Sequence, residues 1–132
     1  MPFPVDIKYI VETEKELNIG FPEKFREKMM LLNGGEVVTE NDDWNLFPFF
    51  DKSDSKRISR TCDHIALETL NARKWSGFPE NAVAIAANGY GDLLILKPSM
   101  HDASVLDETI FIWYHENGTI EAIADAIDEL EE

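Results

Sequence analysis

Two short apolar runs separated by a turn constrain the fold most strongly. Val83-Ala84-Ile85-Ala86 and Leu93-Leu94-Ile95-Leu96 have the length and composition of buried strands, and Asn88-Gly89-Tyr90-Gly91-Asp92 lies between them. The two glycines can adopt the positive φ that a tight connection needs, so the pattern predicts a β-hairpin. Because strands joined by such a short turn run antiparallel, we expect a largely antiparallel sheet.

Helical spacing of apolar residues predicts helices on both sides of this hairpin. The first covers residues 6–17, where Asp6 can act as the N-cap. The second begins at Phe21-Pro22 and ends at Asn33-Gly34-Gly35, because proline is tolerated in a first helical turn and glycine follows a last one. A third is predicted over residues 61–75 and a fourth, amphipathic helix over 120–130. The predicted inward positions of these four helices include Ile7, Ile10, Val11 and Leu17, then Phe25, Met29 and Leu32, then Cys62, Ile65, Ala66, Thr69 and Leu70, and finally Ile120, Ile123, Ala124, Ile127 and Leu130.

The remaining segments predict further strands and one loop. Residues 36–39 and 110–115 have strand-like composition, and the aromatic stretch 44–50 is expected to be an edge or short strand because it contains Pro48. Residues 51–60 are predicted to form a loop that carries a basic cluster. The chain has 132 residues, of which 44% are hydrophobic and 29% charged. We therefore predict a single α+β domain over residues 1–132, with about four helices packed on a largely antiparallel sheet.

The charge balance limits the ligands that the chain can bind. It has 26 acidic residues against 12 basic ones, a formal net charge of −14. Such a field repels nucleic acid and anionic lipid, so we expect neither as a partner, but it attracts a basic protein surface. A contribution of acidity to solubility alone explains the charge at least as well. Because no secretory signal or long apolar run is recognised, we expect a cytoplasmic protein.

The sequence contains no recognisable motif for catalysis, metal binding or cofactor binding. Each histidine neighbours an acid, in Asp63-His64, His101-Asp102 and His115-Glu116, but adjacent residues point in different directions and so do not form dyads. The sequence has no HExxH motif, no zinc-type Cys/His spacing, no P-loop and no GxSxG elbow. The single Cys62 is expected to be a small apolar filler. We therefore predict no catalytic residue, no metal site and no cofactor.

A set of short motifs follows the chain in order. Phe21-Pro22-Glu23-Lys24-Phe25-Arg26 leads to Leu32-Asn33-Gly34-Gly35 and then to Trp44-Asn45-Leu46-Phe47. Residues 79–86, 88–92 and 93–96 form the middle block, and residues 112–118 close the set. Together these segments resemble the SUKH superfamily of bacterial immunity proteins, also called the SMI/KNR family.

This resemblance implies an α+β fold and a function in protein binding. Most bacterial members of the family neutralise polymorphic or contact-dependent toxins, often nucleases, by direct contact, and no catalytic residues carry over to this chain. By the same resemblance, Gly34, Gly89 and Gly91 are expected in turns, and Trp44 and Trp113 in the core. We expect an immunity protein with a basic toxin domain as its partner. The alternatives are a scaffold or regulator without a toxin partner and, less favoured, an enzyme.

Five residues are candidates for the partner-binding surface. Glu40, Asp42 and Asp43 lie in a polar turn beside the aromatic strand, and Tyr90 and Asp92 lie at the tip of the predicted hairpin. Loops held by a rigid scaffold commonly carry recognition, which favours these positions. Ordinary solvated turns explain the same residues equally well, and the acidic outer face of the predicted C-terminal helix is a rival surface.

Overall fold

The computed structural model describes residues 3–40 and 42–130. Within those ranges, no helix combines the length and the apolar character needed to cross a membrane. The elements in chain order are α1 (Ile7–Leu17), α2 (Glu23–Leu31), β1 (Glu36–Val38), β2 (Asp43–Leu46), α3 (Ser55–Arg60), α4 (Ile65–Ala72), β3 (Val83–Ala87), β4 (Leu93–Leu96), β5 (Ile110–Trp113), β6 (Ile120–Ala124) and a 3-10 turn (Ile127–Glu129).

The six strands form one antiparallel sheet in the order β1-β2-β3-β4-β5-β6. The predicted hairpin is confirmed, because β3 pairs with β4 and Ala87 lies opposite Leu93 across the connecting turn. Each strand pairs with the next one in the chain, so successive connections alternate between the two ends of the sheet. The turns that follow β1, β3 and β5 therefore lie at one end, which we call the turn end.

The core occupies both faces of the sheet. Ile85, Leu94 and Ile112 belong to the larger cluster, which also contains the buried apolar residues of α1 and α2. On the other face, Ile95 and Trp113 pack with the segment that leads from α4 to β3. Trp44 and Trp113, predicted to be core residues, are fully buried. The predicted α+β class with an antiparallel sheet is thus confirmed.

The first three predicted helices are present, with corrections at their ends. Asp6 caps α1, since its Oδ1 accepts a hydrogen bond from the Lys8 N–H at 3.0 Å, but Ile7 is exposed rather than inward. α4 is shorter than predicted because His64 caps it: the Leu67 N–H donates to the His64 Nδ1. As a result Cys62 precedes the helix and is exposed, and Leu70 is also exposed.

The segment predicted as a loop over residues 51–60 ends in a short helix instead. Asp54 is the N-cap of α3, because its Oδ1 accepts from the Arg57 N–H at 2.8 Å. Preceding this helix, Asp51 is buried and accepts from the Ser53 N–H. An N-cap acid followed by good helix formers was the sequence signal for this element.

The predicted C-terminal helix over residues 120–130 is wrong. β6 and the 3-10 turn occupy this stretch, and β6 pairs with β5 in a register that sets Trp113 opposite Ile120. Pairing along the open edge of β5 overrides the helical spacing of the apolar residues. Of the stripe expected to face inward, Ala124 and Ile127 are buried, Ile123 and Leu130 are half-buried, and Ile120 is exposed. The expected set of four helices is therefore not confirmed, because α3 was predicted as a loop and the fourth predicted helix is absent. The rival acidic face of that helix is not confirmed either, and Glu132, which was predicted to lie on it, is outside the described residues.

Candidate functional site

The structure brings the five predicted surface residues together at the turn end. Glu40, Asp42, Asp43 and Tyr90 line one surface depression of about 450 Å³. Asp92 joins them through Asn88, whose Nδ2 donates to one carboxylate oxygen of Asp42 and to one of Asp92, each at 3.4 Å. Two turns that are some 50 residues apart in the chain thus form one surface.

The β3–β4 turn shapes its half of this surface. Gly89 and Gly91 adopt φ angles of +86° and +101°, which residues with a Cβ rarely accept. The Asn88 Oδ1 accepts from the Tyr90 N–H at 2.9 Å and closes the turn locally. Tyr90 consequently projects from the tip, and 75% of it is exposed.

A second depression of about 650 Å³ adjoins the first and shares Thr39, Glu40 and Asp42 with it. Its far side is formed by Tyr114, after β5, and by the β6 residues Glu121 and Ile123, with Glu129 and Leu130 beyond them. In a flat six-stranded sheet the two edge strands would be about 24 Å apart, at about 4.8 Å per strand spacing. Residues of β1 and β6 can line one depression only because the sheet curls.

We call the two depressions together the acidic basin. Its carboxylates come from Glu40, Asp42, Asp43, Glu121 and Glu129, and no lysine or arginine is among the described residues that line it. Unpaired negative charge on a concave surface raises the local potential, because the low-dielectric walls focus the field. The basin therefore favours a positively charged partner surface.

The nearby carboxylates affect the hydroxyl group of Tyr114. Its hydroxyl donates to the Glu121 Oε1 at 2.9 Å. That hydrogen bond is the main reason why the pKa of Tyr114 is raised above its usual value, and the nearby charges of Asp92 and Asp42 raise it further. The phenol stays protonated and serves as a hydrogen-bond donor within the basin.

Asp92 is held in place at the rim by His115. The Asp92 Oδ1 lies 2.7 Å from the His115 Nδ1 and also accepts from the His115 backbone N–H at 3.1 Å. Partial burial raises the pKa of Asp92, but the hydrogen bonds from His115 and Asn88 outweigh it, and the pKa lies below its usual value. Asp92 is therefore negatively charged at neutral pH and keeps one orientation.

The chemical groups of this surface suit binding. The carboxylates offer hydrogen-bond acceptors, and the exposed Tyr90 offers a hydroxyl group and the apolar area of its ring. Across residues 3–40 and 42–130, no group of three or more His, Cys, Asp or Glu side chains is arranged to hold a metal ion.

Sequence analysis missed the contributions of Tyr114, His115, Glu121 and Glu129. The prediction of a C-terminal helix placed Glu121 and Glu129 on a different surface. A usable signal was present, because Asn117-Gly118 between two apolar segments is typical of a β-hairpin. Gly118 does adopt a positive φ of +73°, and β6 follows it.

Comparison with known proteins identifies one relationship. The chain matches the SMI1 / KNR4 family (SUKH-1) over residues 4–132, which confirms the resemblance seen in the sequence motifs. No match is found among curated proteins or among solved structures.

Proposed function

Because the chain belongs to the SMI1 / KNR4 family (SUKH-1), we propose that it is an immunity protein that neutralises one cognate toxin by binding it and turns over no substrate. Family members in general act as immunity proteins, are generally non-catalytic and generally bind protein toxins. The family match over residues 4–132 is the observation that carries this proposal. We further propose that residues 1–132 form one domain and that the protein acts in the cytoplasm.

The acidic basin supports a basic toxin domain as the partner. The five carboxylates of the basin belong to a chain with a formal net charge of −14, so the attraction acts both locally and at long range. A nuclease domain has basic residues that bind phosphates, and the carboxylates of the basin can pair with such residues. The same charge opposes binding to nucleic acid and to anionic membranes.

Co-expression tests the function directly. The first step is to sequence the neighbouring gene, and the toxin to use is the small C-terminal domain of a large protein that this gene is expected to encode. Cells that produce both proteins should survive, whereas cells with the toxin domain alone should die. Death of cells in which both proteins are soluble and this chain is in excess would show that the immunity proposal is wrong and would favour a scaffold function.

A matched pair of variants tests the surface. Asp42→Lys with Asp43→Lys reverses two charges at the basin, and Asp63→Lys with Glu80→Lys makes the same net change among exposed residues near the opposite end of the sheet. We expect the basin variant to lose affinity for the toxin far more than the control variant does. Equal losses of toxin affinity would show that only the net charge matters and that the basin is not part of the interface.

The salt dependence of the kinetics provides a further check. Exposed charges are screened beyond about 8 Å at physiological ionic strength, so association of the wild-type protein should slow as salt rises. Dissociation should change less, because it depends on buried contacts. An association rate that is independent of salt would contradict electrostatic attraction by the basin.

A further inference from the structure

A second recess lies at the turn end, on the face of the sheet opposite the acidic basin. Side chains alternate along β5, so Ile112 and Tyr114 face the basin and Trp113 faces the other side. There Trp75, Ser76, Gly91, Trp113 and His115 line an open recess of about 370 Å³, which we call the tryptophan recess.

We propose that the tryptophan recess binds an arginine side chain of the protein partner, an inference that rests on the proposed function and adds an anchor point to it. Trp75 lies outside any helix or strand, is 48% exposed, and stacks on the buried Trp113 with ring centroids 5.7 Å apart and planes 26° apart. An exposed tryptophan ring that is supported by a second, buried one offers a rigid aromatic surface, and such rings are enriched where proteins contact their partners.

Close packing holds the walls of the recess in place. The Trp113 indole N–H donates to the Gly77 carbonyl at 3.0 Å, which ties the segment after α4 to β5. A Cβ on Gly77 would lie 3.3 Å from the Gly118 Cα, so this segment sits directly against the β5–β6 turn. A Cβ on Gly91 would lie 3.0 Å from the His115 ring, where the missing side chain leaves room for the imidazole. These close contacts between turns therefore fix the shape of the recess.

The chemistry of the walls favours arginine over other occupants. An indole face attracts a cation, and a planar guanidinium can stack on it while its N–H groups remain free to donate. The His115 Nδ1 lies 2.7 Å from the Asp92 Oδ1, which leaves the Nε2 of the same ring as a polar atom of the recess without a hydrogen-bond partner among the described residues. The carboxylates of Asp42 and Asp43, and that of Asp92 beside His115, lie at this end of the sheet and draw cationic groups of the partner toward it.

The first test uses a small probe. Nα-acetyl-arginine amide is titrated into the ¹⁵N-labelled protein at millimolar concentrations, and the indole N–H signals of Trp75 and Trp113 are followed by NMR. The buried Trp44, whose indole N–H donates to Thr39, is the internal reference. We expect saturable shifts at Trp75 and Trp113 and none at Trp44. No shift with the arginine probe, or equal shifts with Nα-acetyl-leucine amide, would overturn the assignment.

Variants of Trp75 separate stacking from apolar packing. Trp75→Leu keeps apolar bulk but removes the aromatic face, and should weaken binding of the arginine probe by about 2- to 30-fold, the effect of a cation–π contact of about 0.5–2 kcal/mol. Trp75→Phe should restore most of that loss. Leu67→Ala, a change at an exposed apolar residue of α4, should have no effect. An unchanged affinity of Trp75→Leu for the probe would refute the cation–π contact.

The same variants distinguish this inference from the proposed function when the toxin is the ligand. If Trp75→Leu binds the toxin normally while the Asp42/Asp43 reversal does not, the recess is not an anchor and the proposed function stands. If the arginine probe saturates the recess while the wild-type protein binds no toxin, the proposed function fails and the arginine site stands.

Discussion

Replacing Asn33 by leucine tests the structural reason for the Leu32-Asn33-Gly34-Gly35 motif. The Asn33 side chain, which is buried, binds both backbone polar groups of one residue across the fold: its Oδ1 accepts from the Phe49 N–H at 2.8 Å, and its Nδ2 donates to the Phe49 carbonyl at 2.9 Å. Phe49 is fully buried and lies beyond the end of β2, so it has no strand neighbour there. Asn33 supplies the hydrogen bonds that a neighbouring strand would otherwise provide.

The size of the effect follows from these two contacts. Leucine has the shape of asparagine but leaves the Phe49 N–H and carbonyl without partners, and each unsatisfied buried group costs about 1–3 kcal/mol. We expect Asn33→Leu to lower the free energy of unfolding by about 2–6 kcal/mol, a large share of the roughly 5–15 kcal/mol typical of a domain.

Urea denaturation at neutral pH, followed by circular dichroism, measures this loss as a lower midpoint at unchanged slope. Thr13→Val is the matched control, because the buried Thr13 hydroxyl donates at 3.2 Å to the Tyr9 carbonyl, which keeps its helical N–H partner without it. The control should cost less than about 1 kcal/mol. If Asn33→Leu costs no more than Thr13→Val, the argument for Asn33 is refuted.

Three further predictions concern the packing of the C-terminal segment, the pKa of Asp92 and the metal content of the protein. Ile127→Ala should cost about 2–5 kcal/mol because Ile127 is buried, whereas Ile123→Ala should cost less because Ile123 is only half-buried on β6; urea midpoints in the reverse order would contradict the strand assignment. The depressed pKa of Asp92 stabilises the fold at pH values above its unfolded-state pKa, and this contribution is lost as the pH falls through the folded-state pKa. His115→Gln should therefore raise the pKa of Asp92, as measured by NMR titration of the carboxyl carbon. Elemental analysis of protein purified without chelators should find no stoichiometric transition metal, and about one metal ion per chain would show that the search for ligands failed.

The acidic basin shows which parts of a site sequence alone can predict. Glu40, Asp42, Asp43, Tyr90 and Asp92 were predicted to lie in surface turns, because turn residues with polar side chains lie at the surface wherever the turns are placed, and their role in partner binding stays a prediction. Their meeting in one basin was not predicted, because it depends on the alternation of connections in a six-stranded meander and on the curl of the sheet. Glu121 and Tyr114 belong to the basin because β6 pairs with β5, and this pairing was not predicted from the sequence.

Elements whose cause is local can be predicted from the sequence alone. The β3–β4 hairpin follows from two apolar runs and a glycine-rich turn, and the start of α1 follows from the capping carboxylate of Asp6. Residues 120–130 carry a helical pattern of apolar residues, yet they form a strand and a 3-10 turn because of their position beside β5. β5 already pairs with β4 on one side, and its other edge has backbone N–H and carbonyl groups that need partners. Pairing with β6 satisfies those groups along the whole strand, and an isolated helix of about 11 residues is too marginal in water to compete with it.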